Sequence, residues 1–399
     1  MTTATLNKSE LMAPAVAQTI QQRSLLIGVL GAVATIAGAF LAPGSFYSAY
    51  LIGFMFWLGL PLGCMAILML YHLVGGKWGT VIRRILEAGM TTLPLMAVLF
   101  IPILLNLPKL YFWARPEELA KNRNLADIAN SYLNSSGIWV RAIVYFGIWI
   151  GMTYFLNRWS SEQDTPEGGA KSTLRFRAMS GFGLVIYSLS ISFAVIDWVM
   201  SLQARWISTI YGFLFIAGEV LSAFCFVVVI ESILVKRKPM SEYLTSKEVH
   251  DHGNFMLTFV MLWAYFSFSQ LLIIWAGNLP DEISWYVRRM NGGWGPVGLF
   301  LALFHFAVPF ALLLSRSLKK NVAQLALLAS GLVVVRMVDI FWHVEPASYL
   351  EFHLSWAHFA VFIGMGGLWM AYFSRNLRSR PLLAVYAPQT LKHLEPSHE

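Results

Sequence analysis

The stretch SFAVIDWVMSLQARWISTIYGFLFIAGEVLSAFCFVVVIES, residues 192–232, decides the fold, because it joins two long apolar segments through a short turn at 201–205. Each segment is long enough to cross a bilayer as a helix, which takes about 20 apolar residues. Asp197 falls in the last turn of the first segment, Glu219 lies about halfway along the second, and Glu231 lies near its far end. The stretch predicts two membrane helices that carry acids at membrane depth.

These acids leave two interpretations open. A charged side chain at the centre of a bilayer costs roughly 2.5–3.5 kcal/mol on insertion scales, so it is rarely retained without a partner or a function. In the first interpretation the acids are buried and paired for packing. In the second they handle protons or quinol.

The composition is that of an integral membrane protein. Hydrophobic residues make up 57% of the 399 positions, charged residues make up 13%, and the mean hydropathy is +0.61. This combination excludes an ordinary soluble domain. Ten segments are long and apolar enough to span, and we number them spans 1 to 10: 24–42, 46–74, 81–107, 136–157, 174–200, 206–235, 253–276, 293–316, 321–344 and 354–374.

The net charge of +8 indicates topology and not nucleic-acid binding. Of the 29 Lys and Arg residues, 20 lie on the two termini and alternate connections that share one side, and 7 lie on the other connections. The positive-inside rule therefore predicts that both termini are cytoplasmic. The expected location is the bacterial cytoplasmic (inner) membrane, crossed many times and in contact with membrane lipids, with no nucleic acid as a partner.

The cysteines and histidines limit the cofactors. Cys64 and Cys225 are the only cysteines, whereas an iron–sulfur cluster needs four ligands and covalent haem needs C-x-x-C-H. The histidines within the spans form no facing pair for haem, and the H-D-H triplet 250–252 predicts a solvated proton entrance better than a metal site. We therefore expect no haem or metal on this chain, so that electrons travel on an organic molecule or on another chain.

The predicted organisation is one all-α membrane domain with two polar ends. Spans 2–5 and spans 6–9 form two four-helix bundles with the same orientation, flanked by spans 1 and 10, and parallel repeats of this kind recur in membrane proteins. The last span of each bundle has an acid followed by Trp near its outer end. The predicted units are an N-terminal segment 1–23, a membrane domain 24–375 with bundles 46–200 and 206–344, and a tail 376–399.

Span 9 is the second informative stretch. Arg336, Asp339 and His343 fall at i, i+3 and i+7, which places them on one side of the helix with Arg336 and Asp339 close enough to pair. Span 8 places His305 near mid-depth, four residues before a proline. Span 4 has Arg141 near its outer end, from where its side chain is expected to reach the interface. The predicted proton pathway comprises Glu231, Glu219, His305, Arg336, Asp339, His343 and Asp197.

Three stretches carry a family resemblance: AVIDWVMSLQARWISTIYG (194–212), FVMLWAYFSFSQLLIIWAGNLPDEISWY (259–286) and HFAVPFALLLSRSLKK (305–320). With the ten spans, they resemble the ActF family of NrfD/PsrC-like membrane subunits of bacterial alternative complex III. The resemblance covers roughly 24–375, and its most specific part is WAYxxFSQ…IWxxNLPxExxWY. It implies a quinol:cytochrome c oxidoreductase with an ActC-like NrfD-family subunit, a multihaem cytochrome c subunit and an iron–sulfur subunit as partners. The haem and iron–sulfur clusters are expected on those partners, and the ActC-like subunit has the better claim to the quinol site.

Three hypotheses about function follow. In the first, the chain is a non-catalytic subunit of such a complex that scaffolds it and conducts protons coupled to quinol oxidation. In the second, the chain itself binds menaquinone or ubiquinone near the outer ends of spans 5, 6 and 9, with Asp197, Asp339 or His343 as proton acceptor. In the third, it is a stand-alone secondary transporter.

Overall fold

The computed structural model describes residues 11–165, 173–384, 386–388 and 390. In these residues ten helices are long and apolar enough to span a membrane and there is no β-strand, which confirms the predicted fold class. We number them in chain order: α1 Ala15–Leu41, α2 Pro43–Val74, α3 Lys77–Leu105, α4 Ser135–Glu162, α5 Thr173–Trp198, α6 Tyr211–Leu234, α7 Ser246–Gly277, α8 Gly295–Leu313, α9 Val322–Val344 and α10 Trp356–Arg378.

Three helix starts differ from the predicted ones by five residues or more, and one of them is that of α7, which begins at Ser246 and not at 253. Helix α1 begins at Ala15, so the second half of the predicted N-terminal segment is helical. Helix α6 begins at Tyr211 and not at 206, because a 3₁₀-helix, Met200–Gln203, and an extended segment separate it from α5. The connection that the sequence presents as a short turn is therefore a loop of about a dozen residues.

Helix α3 consists of two parts, Lys77–Met90 and Leu93–Leu105, separated by a break at 91–92. The second part has Pro94 in its first turn, where a missing backbone N–H leaves no hydrogen bond unmade. The side-chain amide of Asn157 in α4 donates to Thr91 Oγ1 at 2.8 Å. The proline thus ends one helical part, and a polar contact ties the break to the neighbouring helix.

Helices α2 and α6 form the centre of the molecule. Their spanning residues are mostly buried and are apolar on every face, as is typical of helices surrounded by other helices. Helix α2 packs against α3, α5, α6, α9 and α10, and α6 packs against α2, α5, α7 and α9. Within each predicted bundle, the first helix contacts the second and the fourth, whereas the repeat relation between the bundles stays a prediction.

Small residues bring α2 and α6 together at the middle of the bundle. A Cβ added to Gly59 would lie 3.1 Å from Glu219 Cγ. A Cβ added to Gly63, one turn further along α2, would overlap the Glu219 carbonyl oxygen and lie 2.7 Å from Ala223 Cβ. Small residues at such crossings let helix backbones approach closely in membranes. This crossing fixes the backbone of Glu219 against α2.

Both ends of the described chain lie at one end of the bundle. Helix α1 packs along α10 through glycines on both helices, and the backbone N–H of Leu382 donates to Leu11 O at 2.7 Å. We call this the basic end, because the Lys- and Arg-rich connections belong to it, and we call the other end the opposite end. The basic end is the one predicted to be cytoplasmic.

The α2–α6 crossing makes a testable prediction. Replacing Gly63 with Ala inserts a methyl group into backbone of α6, and overpacking of this kind costs about 1–3 kcal/mol. Gly151→Ala in α4 is the matched control, because no atom lies within 4 Å of a Cβ at Gly151. Thermal unfolding in mild detergent should show a lower melting temperature for Gly63→Ala alone. Equal melting temperatures for the two variants would contradict this close approach.

Candidate functional site

A buried polar site within the membrane helices centres on Asp339 of α9. Arg336 Nη1 donates to Asp339 Oδ2, as the i, i+3 spacing predicts, and Trp263 Nε1 of α7 donates to the same oxygen at 3.2 Å. His343 Nε2 lies 3.6 Å from Asp339 Oδ1. Asp339 is completely buried and Arg336 is 3% exposed. We call Arg336, Asp339, His343, Trp263 and His305 the Asp339 cluster.

His305 enters this cluster from a π-helical segment of α8, residues 302–307. Pro309 accounts for the local widening, because it provides no N–H for the His305 carbonyl and its ring crowds that carbonyl. The His305 ring packs on Trp263 with 4.0 Å between centroids. Within the described residues neither His305 nitrogen nor Asp339 Oδ1 has a hydrogen-bond partner. Buried polar atoms are normally paired and π-segments are frequent at functional sites, so this combination marks a functional site better than simple packing.

The cluster continues towards the opposite end through His343. Its Nδ1 lies 3.0 Å from the hydroxyl of Tyr211. Arg289, from the helix Pro280–Met290, donates to the carbonyl oxygens of Trp342 at 3.1 Å and His343 at 2.5 Å, and it stacks on Trp285. Burial lowers the pKa of Arg289 to about 9, so it is still protonated at neutral pH. Its positive charge at the C-terminal end of α9 holds the His343 backbone in place.

Towards the middle of the membrane, the Arg336 side chain reaches α6. A Cβ on Gly218 would overlap the Arg336 guanidinium, which therefore lies on the α6 backbone beside Glu219. Arg336 interacts electrostatically with both Glu219 and Asp339. The hydroxyl of Tyr187 in α5 donates to Glu219 Oε2 at 3.2 Å. Glu219, Arg336 and Asp339 thus form one electrostatically linked group across α6 and α9.

A second buried site, nearer the basic end, pairs Glu231 with His252. His252 Nδ1 lies 3.0 Å from Glu231 Oε2, and Nε2 lies 2.9 Å from the carbonyl oxygen of Trp78. The carbonyl only accepts, so Nε2 carries a proton and a further proton lies between Nδ1 and the carboxyl oxygen. The pair therefore holds a proton that either group can carry. The prediction of a solvated entrance at 250–252 is wrong for His252, which is completely buried.

The two sites are not continuous. Glu231 lies 12 residues from Glu219 along α6, which is about 18 Å at about 1.5 Å per residue. Most of the side chains between them are apolar and buried, and the hydroxyl of Ser222 donates to its own helix at Gly218 O. Gln270 of α7 does not bridge this interval, because it contacts Ser208 and Tyr286 towards the opposite end. A proton path through these residues is therefore made of two segments.

Asp197 belongs to a different cluster. Its Oδ2 accepts from Arg141 Nε at 2.7 Å and from the Tyr145 hydroxyl at 2.8 Å. Arg141 also donates to Tyr132 O and lies over the Tyr132 ring, and through Asp197 it ties α4 to α5. Its side chain is 21% exposed, and its reach to the interface stays a prediction. In the described part of the chain Asp197 and Asp339 share no contact partner. The predicted quinol-site residues Asp197, Asp339 and His343 thus fall into two clusters.

Comparison of the chain with known protein families and with characterised proteins finds no match. The functional interpretation therefore depends on the buried polar groups themselves. Of these, the sequence alone singled out Glu219, Glu231, His305, Arg336, Asp339, His343 and Asp197.

Sequence reasoning missed the aromatic partners and assigned one histidine to the wrong environment. Trp263, Tyr211 and Tyr187 each have a polar atom that contacts a member of the site, but many Trp and Tyr residues occupy similar positions in this chain. His252 was predicted to be part of a solvated proton entrance, because it lies among charged residues that resemble a solvated loop. One signal of burial was available in the sequence: His252 lies near the start of a long apolar segment, where one face of the helix packs against the rest of the protein.

The Arg141–Asp197 pair gives a prediction about a buried charge outside the Asp339 cluster. Arg141→Gln leaves the completely buried Asp197 carboxylate without its cation, and breaking such a pair costs roughly 3–5 kcal/mol. Replacing both residues, Arg141→Gln with Asp197→Asn, should restore most of the lost thermal stability. Arg177→Gln, an exposed residue at the other end of α5, is the control for loss of one positive charge. A double variant as unstable as Arg141→Gln would show that the two charges do not stabilise each other.

Proposed function

We propose that this chain is a membrane subunit of a respiratory quinol:cytochrome c oxidoreductase of the alternative complex III type, in which it scaffolds the membrane part and conducts protons coupled to quinol oxidation. The observation that carries the proposal is the series of buried ionisable side chains in the membrane helices, namely the Glu231–His252 pair, Glu219 and the Asp339 cluster. Ionisable groups at membrane depth mark ion and proton pathways. The resemblance to ActF subunits supplies the type of complex.

In this proposal protons move in two segments. The Glu231–His252 pair holds a proton near the basic end, and the Asp339 cluster passes protons between Glu219 and His343 towards the opposite end. Water molecules or a movement of side chains connect the segments across the apolar interval of α6. Asp197 is not part of this path, because its contacts lie in the separate α4–α5 cluster.

Burial favours proton conduction over a quinol site in this chain. A quinol head group needs a cavity beside its proton acceptor, whereas a proton passes along hydrogen bonds through closely packed groups. Asp339 and His305 are completely buried and His343 is 3% exposed. Binding of menaquinone or ubiquinone at Asp339 or His343 would require the packed rings of Trp285, Tyr211 and Trp263 to separate.

The proteins that co-purify with the chain distinguish the proposed role from that of a stand-alone transporter. After extraction in mild detergent, mass spectrometry of the affinity-purified chain should detect an ActC-like membrane subunit, a multihaem cytochrome c and an iron–sulfur protein in stoichiometric amounts. A transporter would purify alone or as a homo-oligomer. Purification without haem-bearing partners, at a yield that shows intact protein, would overturn the assignment to this complex.

The Arg336–Asp339 pair tests proton conduction. Asp339→Asn alone leaves Arg336 buried without its main counter-charge, so it should harm assembly or turnover, at a cost of roughly 3–5 kcal/mol. Arg336→Gln with Asp339→Asn removes both charges and should assemble normally. Because the proton acceptor is gone, this double variant should oxidise quinol slowly or release fewer protons per electron. The measurements are subunit content, quinol:cytochrome c activity and proton release in vesicles.

The Arg141–Asp197 double variant is the matched control, because it also removes a buried ion pair but lies outside the Asp339 cluster. It should assemble and keep the wild-type ratio of protons to electrons. Wild-type turnover and proton yield in the Arg336–Asp339 double variant would leave that pair as a packing device and refute its role in proton conduction.

His305 provides a test in which folding and function separate cleanly. Within the described residues its nitrogens make no hydrogen bond, so His305→Phe removes no hydrogen bond, keeps a ring against Trp263, and should keep or raise the melting temperature. If His305 exchanges protons with the Asp339 cluster, the same variant should release fewer protons per electron. His72→Phe is the control, because His72 is also a buried membrane-helix histidine stacked on an aromatic ring, Phe176, and has no contact with the cluster. A wild-type proton yield in His305→Phe would exclude His305 from the path.

A further inference from the structure

A cavity of about 470 Å³ lies between α3, α4 and α10 near the basic end. Its charged wall contains Arg84 of α3, Arg158 of α4 and Arg380, which follows α10, together with a single acid, Glu87. Nothing in the proposed proton path uses this cavity. The arginines therefore need a separate explanation.

Two residues that line the cavity have a buried hydrogen-bond donor without a partner in the described residues. Arg84 is 4% exposed, and while its terminal nitrogens bind Glu87, Ser160 and Asp164, its Nε has no partner within the described residues. The side-chain amide nitrogen of Asn376 is likewise buried and unpaired in that part of the chain. Donors and positive charge without matching acceptors are the features of an anion site.

Arg158 and Arg380 lie at the mouth of the cavity, and acidic side chains of the described residues do not fully neutralise their positive charges. Arg158 is exposed and donates one long hydrogen bond, 3.5 Å, to the Tyr154 hydroxyl. Arg380 is partly exposed and lies 3.8 Å from Glu87, a carboxylate that already accepts closer bonds from two other arginines. Both guanidinium groups are therefore available to a ligand at the membrane surface.

The deeper part of the cavity is apolar and opens sideways. Ile150 and Pro94 lie there, and Ile150 is eight residues from Arg158, which is about 12 Å along α4. Pro94 and Tyr154 are exposed on the outer surface of the helices, so the cavity is accessible from the region that lipid chains occupy. A soluble anion would fill the charged mouth and leave this apolar part unused.

We propose that the cavity binds an anionic phospholipid, with the phosphate at Arg158 and Arg380, beside Arg84, and with an acyl chain along Ile150 and Pro94. Basic pockets between membrane helices on the cytoplasmic side are known to suit such head groups, and the basic end is the one predicted to face the cytoplasm. The lipid links α3, α4 and α10, which enclose it. The inference does not rest on the proposed function, since it requires only that the helices lie in a membrane.

Lipid titration tests the proposal. The purified chain, with whatever partners it retains, is mixed in mild detergent with phosphatidylglycerol or with phosphatidylcholine of the same acyl chains, and bound lipid is counted by native mass spectrometry. Phosphatidylglycerol should bind more tightly than phosphatidylcholine. Arg158→Gln and Arg380→Gln should each weaken phosphatidylglycerol binding about fivefold, and the double variant about 25-fold. Arg375→Gln, an exposed α10 residue that does not line the cavity, should bind like the wild type.

Inorganic phosphate as a competitor distinguishes the two sources of a phosphate group. It should fail to displace phosphatidylglycerol at concentrations that leave the ionic strength unchanged. Displacement at micromolar phosphate would overturn the lipid assignment in favour of a free-anion site. Equal binding of the two lipids, or an unchanged affinity in the double variant, would also overturn it. Circular dichroism and melting curves establish that each variant is folded, and if the double variant does not fold, the two single variants carry the test.

Discussion

The structure depends on the pairing of charges that membrane helices bury. Arg336 has Asp339, Arg141 has Asp197, and Glu231 has His252, in each case with the two groups in direct contact. An unpaired buried charge costs several kcal/mol. The two pairs that join different helices, Arg141–Asp197 and Glu231–His252, therefore restrict which helices lie side by side. Three of the helix contacts, α4 with α5, α6 with α7 and α7 with α9, carry one such polar link or more.

Glu219 is the exception among these acids. In the described residues no cation lies within ion-pair distance of its carboxylate. The carboxylate accepts a hydrogen bond from Tyr187, and Arg336 interacts with it electrostatically from a greater distance. The close crossing with Gly59 and Gly63 also fixes its position between α2 and α6. An acid that is held rigidly and compensated incompletely suits proton exchange better than packing. This is the physical reason for placing Glu219 at the centre of the proposed path.

The sequence by itself determined the membrane class, the number of spans and the positions of most ionisable groups in them. Uninterrupted apolar length is a local property, and it requires helices because backbone groups in a bilayer must be hydrogen bonded within their own segment. The Arg336–Asp339 contact was also predictable, since residues three apart on a helix are neighbours wherever the helix lies. The helix periodicity did not reveal which residues of other helices face Arg336 and Asp339.

The tertiary structure alone decided the partners. Arg141 lies 56 positions before Asp197, and Trp263 lies 76 before Asp339, so no local pattern connects them. Only the packing of α7 and α8 on α9 brought Trp263 and His305 beside Asp339, and only the packing of α4 on α5 separated Asp197 from that cluster. In a membrane span nearly every face is apolar, so hydrophobic periodicity does not indicate which side of a helix meets which neighbour. Close approach of glycines and pairing of buried charges supply that information, and both act between segments far apart in the chain.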